Sequence, residues 1–425
     1  MRFRRTGFLA PALSLLFAAP VAAQTATVLR AARLLDVTTG TIRAPGVVRI
    51  QDGMIQSVGG SDTGGGAAVI DLGDVTLLPG LIDAHTHLTG DLEGDWVTRD
   101  VRETPADAAL RGARNAGRTL RAGFTTVRDV GSNGFADISL ARAIDGGLIE
   151  GPRMIASGHA IGITGGHCDV TGYAPGILEL GPESGVADGV DEALKAVRYQ
   201  VKHGAKVIKI CATAGVLSYD ATLGAQQLSF EEMSAIVQEA ARHGLKVAAH
   251  AHGSAGILAA VRAGVASIEH GSMLTDEIIA LMKQKGTYLV PTAYLVDRLK
   301  PESLPPAFQA KARQAFSLAK ASHRRAIAAG VRIAFGTDAA VYPHGENAKE
   351  LGVYVGYGMK PMDAIRTATL NAADLLGMTD RAIIAPGKLA DLIAVRGNPL
   401  EDIHVLERPT FVMKGGVVVE RPGER

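Results

Sequence analysis

Two histidines with one residue between them, His85 and His87, close the apolar run in "LIDAHTHLTG". Side chains alternate along a strand, so both imidazoles point the same way. Two converging imidazoles are half of a four-ligand set for one divalent cation, although an isolated pair is as readily part of a turn. The rest of the chain decides between these. Lys209 lies in "AKVIKICAT", His250 and His252 in "LKVAAHAHG", Glu269 and His270 in "VASIEHGS", and Asp338 in "VRIAFGTDA". Five of the 12 histidines sit at the ends of such apolar runs, which argues against chance placement. Imidazoles and carboxylates gathered in this way suit metal-assisted attack on a polar bond.

The elements that must position these residues alternate. Apolar strand-like runs are followed by stretches of helical period, among them "PADAALRGARNAGRTLRAG", "VDEALKAVRYQVKHG" and "DEIIALMKQKG". In "SFEEMSAIVQEAARHG", Ser229, Glu232 and Gly244 read as a capping box with a glycine stop. Eight such units predict an α/β fold, a (β/α)8 TIM-like barrel over 79–385, with a doubly wound open sheet as the alternative. Barrel chemistry collects at the C-terminal strand ends, where the residues above fall. Short β-branched runs at both chain ends, 24–78 and 386–425, predict one small β-sandwich domain.

Composition narrows the partners. The chain has 425 residues, 47% hydrophobic and 20% charged, which is enough for a large core. A net charge of +1, without long like-charge runs, gives no electrostatic footprint for nucleic acid. Arg2, Arg4 and Arg5, a short apolar core and "VAA" before Gln24 predict a signal peptide over 1–23, hence an exported, periplasmic or secreted protein with no membrane association after processing. The apolar core is too short for a span, and adjacent Arg4 and Arg5 leave the export route open. Cys168 and Cys211 could pair in an exported chain, but spacing does not decide it.

Taken in strand order, His, His, Lys, His, His, Asp resembles the amidohydrolase superfamily, in particular its binuclear members. "PGLIDAHTH", "GTDA" and the tail "PGKLADLIAV" carry the resemblance, which covers essentially the whole mature chain. "GITGGHCD", "IKICATAGV", "IEHGS" and "YPHGENAKEL" are similar to the imidazolonepropionase-related branch, which includes Xaa-Pro dipeptidases, carboxypeptidase-like N-acyl amino acid hydrolases and ochratoxin-hydrolysing amidases. The resemblance implies that His85, His87 and Asp338 hold one divalent metal ion and that His250 and His270 hold a second, with Zn2+ the simplest choice for this donor set. It implies a CO2-derived carbamate on Lys209, since an ammonium has no lone pair to offer a cation. A hydroxide between the metals would attack the amide carbonyl, with Asp338 as proton shuttle. His252, two residues past His250, and His167, after Gly165 and Gly166, are candidate catalytic donors to the oxyanion.

The expected substrate is a small-molecule amide or peptide that releases a C-terminal amino acid. Hydrolysis of a cyclic amide, lactone or imidazolone ring is the alternative. A deaminase is disfavoured by Lys209, and a catalytically dead barrel by the complete ligand set. Tyr219 could touch substrate, and Arg298 or Lys300 could meet its carboxylate. The resemblance also implies a homo-oligomer, the octamer being common among such relatives.

Overall fold

The computed structural model describes residues 26–60, 66–220 and 222–420, so the expected signal peptide lies outside the described residues. Seven of the eight expected inner strands form two parallel sheets. One runs in the order Arg153–Ala156, Phe124–Asp129, Leu81–Thr86. The other runs Ile208–Cys211, Val247–Ala251, Ser267–His270, Tyr288–Val290. Helices follow the strands, among them Pro105–Arg121, Gly189–His203, Phe230–Arg242 and Pro306–Ala328. The Ser229 cap is present: its hydroxyl accepts from the Glu232 amide at 3.2 Å, and the Glu232 carboxylate accepts from the Ser229 amide at 2.7 Å. Most strand residues are buried, as expected of parallel sheets covered on both faces.

The eighth segment departs from the expectation of a regular strand. It makes only isolated bridges, Ile333 to Leu289 on one side and Ala339 to Thr86 on the other. Single hydrogen bonds join it to the first strand: Ala84 N–H donates to the Phe335 carbonyl at 2.8 Å, and Asp338 N–H to that of His85 at 2.8 Å. The left-handed backbone at Asp338 (φ 58°) interrupts any ladder. Gly336 permits the close approach. A Cβ there would lie 2.3 Å from Val290 Cγ1 and 2.8 Å from His85 Cβ. A further bridge, Ile161 to Ile210, links the two sheets. The architecture is a TIM-barrel-like α/β fold.

Strands from both chain ends assemble beside it. Leu392–Arg396 pairs antiparallel with Val75–Pro79 inside a six-stranded sheet, and Thr27–Ala31 is central to a four-stranded one. Leu29, Val48 and Ile55 of the smaller sheet share a core with Leu77, Leu392 and Phe411 of the larger.

Candidate metal centre

The strand registers bring the chemistry together. Pairing sets His250 beside Cys211, and His270 beside Ala251. His87 follows the first strand directly, and Asp338 is hydrogen bonded back to it. Two adjoining groups result. His85, His87 and Asp338 offer ligand atoms within 4.8 Å of one another, and so do His250, His252 and His270. The Nε2 atoms of His85 and His87 lie 3.5 and 3.3 Å from Asp338 Oδ1. The His85 and His270 rings, 5.1 Å apart, join the groups, and buried Lys209 lines the same cavity.

Hydrogen bonds fix which nitrogens are free. His85 Nδ1–H donates to Glu269 Oε2 at 2.6 Å, and Glu269 is held in turn by the buried Arg128 at 2.8 Å. His87 Nδ1–H donates to the Gly131 carbonyl at 3.0 Å. Both rings therefore keep an Nε2 lone pair directed at Asp338, the arrangement a metal-ligating imidazole needs. His270 Nδ1 is engaged by Thr292 Oγ1 at 2.7 Å. His250 Nε2 is buried without a protein partner, an unmet acceptor that a cation would satisfy. The residues thus fit a pair of divalent cations.

Charge states agree with that chemistry. Burial, with His167 and the other rings beside it, pushes His250 well below the ordinary imidazole value, and burial with His252 does the same for His270. Burial alone would raise Asp338, while positive charge at the His85 and His87 side of the carboxylate holds it well below the usual range. Burial pushes the Lys209 ammonium down to about 8, against the opposing pull of Glu269 and Asp338. Neutral amine is then accessible near neutrality. Backbone strain clusters here as well: His270 (φ 69°), Thr292 (φ 50°) and Asp338 (φ 58°) are non-glycine residues in the left-handed region.

A cavity of about 290 Å³ opens over these groups. His252 and His167 both line it. Burial drives both rings toward neutrality, His252 to about 3 and His167 to about 4. Its outer wall is apolar, formed by Leu217, Leu295, Leu299, Phe316 and Val341. Among the described residues the lining contains no lysine or arginine besides Lys209. Arg298 instead faces Glu346 at 3.4 Å, and Lys300 does not reach the cavity. Tyr219 is 46% exposed and packs edge-on against Phe308 outside it.

Two features of the site were missed in the sequence, His323 and Phe316. His323 lines the cavity and donates from Nε2 to the His270 carbonyl at 2.6 Å. Phe316, Ala319 and His323 recur at helical spacing, so the inward face of Pro306–Ala328 could have been sought there. The Cys168–Cys211 pairing, left open by spacing, is a disulfide on the cavity wall.

The fold and the candidate metal-binding groups point to a hydrolase, and comparison with known proteins specifies the family. Residues 76–419 match the amidohydrolase family, and the chain belongs to that family. It is 39% identical to the ochratoxinase of Aspergillus niger over 374 residues, covering 82% of this chain and 76% of that protein. The crystal structure of a Xaa-Pro dipeptidase with methionine bound in its active site superposes with a TM-score of 0.88 at 39% identity, over 93% of this chain and 100% of the other. A prolidase complexed with N-methylphosphonate-L-proline superposes at 0.86 with 32% identity, again over 93% and 100%.

Proposed function

We propose that this protein is a binuclear metal-dependent amidohydrolase that cleaves the amide bond of an apolar N-acyl amino acid or dipeptide and releases the C-terminal amino acid. The observation that carries the reading is the pair of ligand groups, with the orphaned His250 Nε2 in one of them and an apolar chamber above. His85, His87 and Asp338 would hold one cation, His250 and His270 the other. Carbamylation by CO2 would turn Lys209 into a carboxylate able to reach both. Zn2+ suits the imidazole and oxygen donors. Two bound cations would supply hydroxide at neutral pH and polarise the scissile carbonyl.

The side chains do the remaining work. Asp338 is ionised and touches both His85 and His87, so it can take a proton and deliver it to the departing nitrogen. Glu269 and Arg128 fix the His85 ring from behind. The outer wall of Leu217, Leu295, Leu299 and Phe316 excludes water and accepts apolar substrate groups. Relatives that include an ochratoxinase and a Xaa-Pro dipeptidase support hydrolysis of this bond type.

One observation favours a second reading. Among the described residues the wall holds no guanidinium, and no ammonium besides Lys209, to meet a carboxylate, which suits an uncharged ring amide or lactone. The test combines metal analysis with rates on N-acetyl-phenylalanine, its C-terminal amide and a cyclic amide of similar size. Preference for the acid over its amide by about tenfold, the worth of one charge-assisted contact, supports release of an amino acid. Turnover of the ring alone would replace that reading with the second.

A further inference from the structure

His167 is held by a polar chain that contains none of the candidate metal ligands. Its Nδ1 lies 2.8 Å from Ser218 Oγ, and Ser218 Oγ lies 2.8 Å from Asp220 Oδ1. Lys311 Nζ closes the chain at 2.6 Å from the same carboxylate oxygen, and also donates to the backbone carbonyls of Ser218 and Asp220. Gln227 braces the other side. It accepts from the His167 backbone amide at 3.0 Å and donates to Asp220 Oδ2 at 3.0 Å. The ring packs against His250 with centroids 4.1 Å apart and the planes tilted by 30°. Gly215 makes room for it, since a Cβ there would fall 2.3 Å from His167 Cε1.

Proton bookkeeping along this chain fixes the tautomer. An ionised carboxylate only accepts, so the single Ser218 hydroxyl proton goes to Asp220. Ser218 Oγ must then accept from His167, and the proton resides on Nδ1. The neutral ring is left with a lone pair on Nε2, on a side chain that lines the cavity. Such a nitrogen cannot donate to an oxyanion, the role expected from the sequence.

We propose that His167 Nε2 accepts a hydrogen bond from the N–H of the scissile amide, and that Ser218, Asp220 and Lys311 are positioning residues that fix the tautomer. The inference rests on the amide-hydrolase reading above. It makes secondary amides better substrates than tertiary ones, because an N-alkylated bond has no proton to offer. Asp220→Asn keeps an oxygen that accepts from both Lys311 and Ser218, so it should leave the tautomer unchanged. Ser218→Ala removes the acceptor of the Nδ1 proton. Ser218→Thr keeps it.

The experiment measures kcat/KM for N-acetyl-phenylalanine and N-acetyl-N-methylphenylalanine, with metal content determined for each protein. In the wild type the N–H substrate should be preferred. In Ser218→Ala the preference should shrink by about tenfold, the worth of one good hydrogen bond, with metal content unchanged. Ser218→Thr and Asp220→Asn, which keep the acceptor of the Nδ1 proton, should retain the wild-type ratio. Cleavage of both substrates with one ratio in all proteins would overturn this inference alone. Cleavage of neither would overturn the amide-hydrolase reading and this inference with it.

Discussion

At the floor of the cavity, polar side chains come largely from parallel strands, and three of the histidines are oriented by a second group: Glu269 on His85, the Gly131 carbonyl on His87, Thr292 on His270. At the mouth, apolar side chains come from the loop after the fourth strand and from two helices, Tyr294–Arg298 and Pro306–Ala328. The strand residues of the floor are fixed by ladder register, which moves them together, and Asp338 is tied to the first strand by its backbone hydrogen bond to His85. The mouth is fixed by side-chain packing, where one residue can change alone. Reaction type should therefore depend on the floor and substrate choice on the mouth, and mutations in the two regions should show different kinetic signatures.

Lys209→Ala should produce the largest effect. With the stem of the proposed carbamate gone, metal content should fall from the proposed two ions per chain, and kcat should drop on the order of 1000-fold, the several kcal/mol that metal activation supplies. Added short-chain carboxylic acid should restore part of both. A variant with full metal content and near-normal rate, without added acid, would remove the bridge from the scheme. Asp338→Asn comes next. The fold and much of the metal should persist while kcat falls about 100-fold or more, in line with loss of acid–base catalysis. A rate within about threefold of wild type, with metal bound, is incompatible with a proton shuttle.

The same contrast explains what could be read in the sequence. The histidines and Asp338 close apolar runs, Lys209 lies within one, and strand alternation turns His85 and His87 to one side, so type and spacing marked the candidates, while their grouping into ligand sets came from the family resemblance. Asp338 was placed correctly after the eighth segment, although that segment lacks the ladder expected of it, because its left-handed turn is a backbone feature without a periodic signature. The mouth was opaque for a different reason. Arg298 and Lys300 were sensible partners for a carboxylate by their place in the chain, but Arg298 turns outward to Glu346, 48 residues on. Phe316 and His323 face inward from a helix whose period was evident but whose orientation was not. Lys311 meets Asp220 across 91 residues, a pairing that no local pattern encodes.

Phe316→Ala tests the mouth directly. It removes a large apolar contact beside the cavity and leaves the floor untouched. KM for a phenylalanine-type substrate should rise about tenfold, somewhat less than the full 1.5–3 kcal/mol of burying such a side chain, while kcat changes little. A fall in kcat with constant KM would mean that mouth and floor are coupled. Arg298→Ala is the matching control. Its partner Glu346 is a partly exposed ion pair off the cavity, so the preference for acid over amide substrates should shift by less than about threefold, within the range of surface pairs. A larger shift would bring Arg298 into the substrate site and supply the cation that the wall otherwise lacks.

The Cys168–Cys211 disulfide lies where the two regions meet and should have the smallest effect on turnover. It ties the residue after His167 to the end of the fourth strand, two residues beyond Lys209, and closes a separation of 43 residues. In a chain-entropy account a loop of that length is worth about 4 kcal/mol against unfolding. His167 itself does not depend on the bond for its orientation, because Ser218 holds its ring and Gln227 its backbone. The double variant Cys168→Ala/Cys211→Ala should therefore melt at a clearly lower temperature, while kcat/KM measured well below the transition stays within about threefold, less than the worth of one hydrogen bond. Thermal unfolding and kinetics on the same preparation decide it. If kcat/KM collapses while the melting temperature holds, the disulfide positions the loop for catalysis, and the line drawn between a fixed floor and an adjustable mouth has to move outward to include residues 167 and 168.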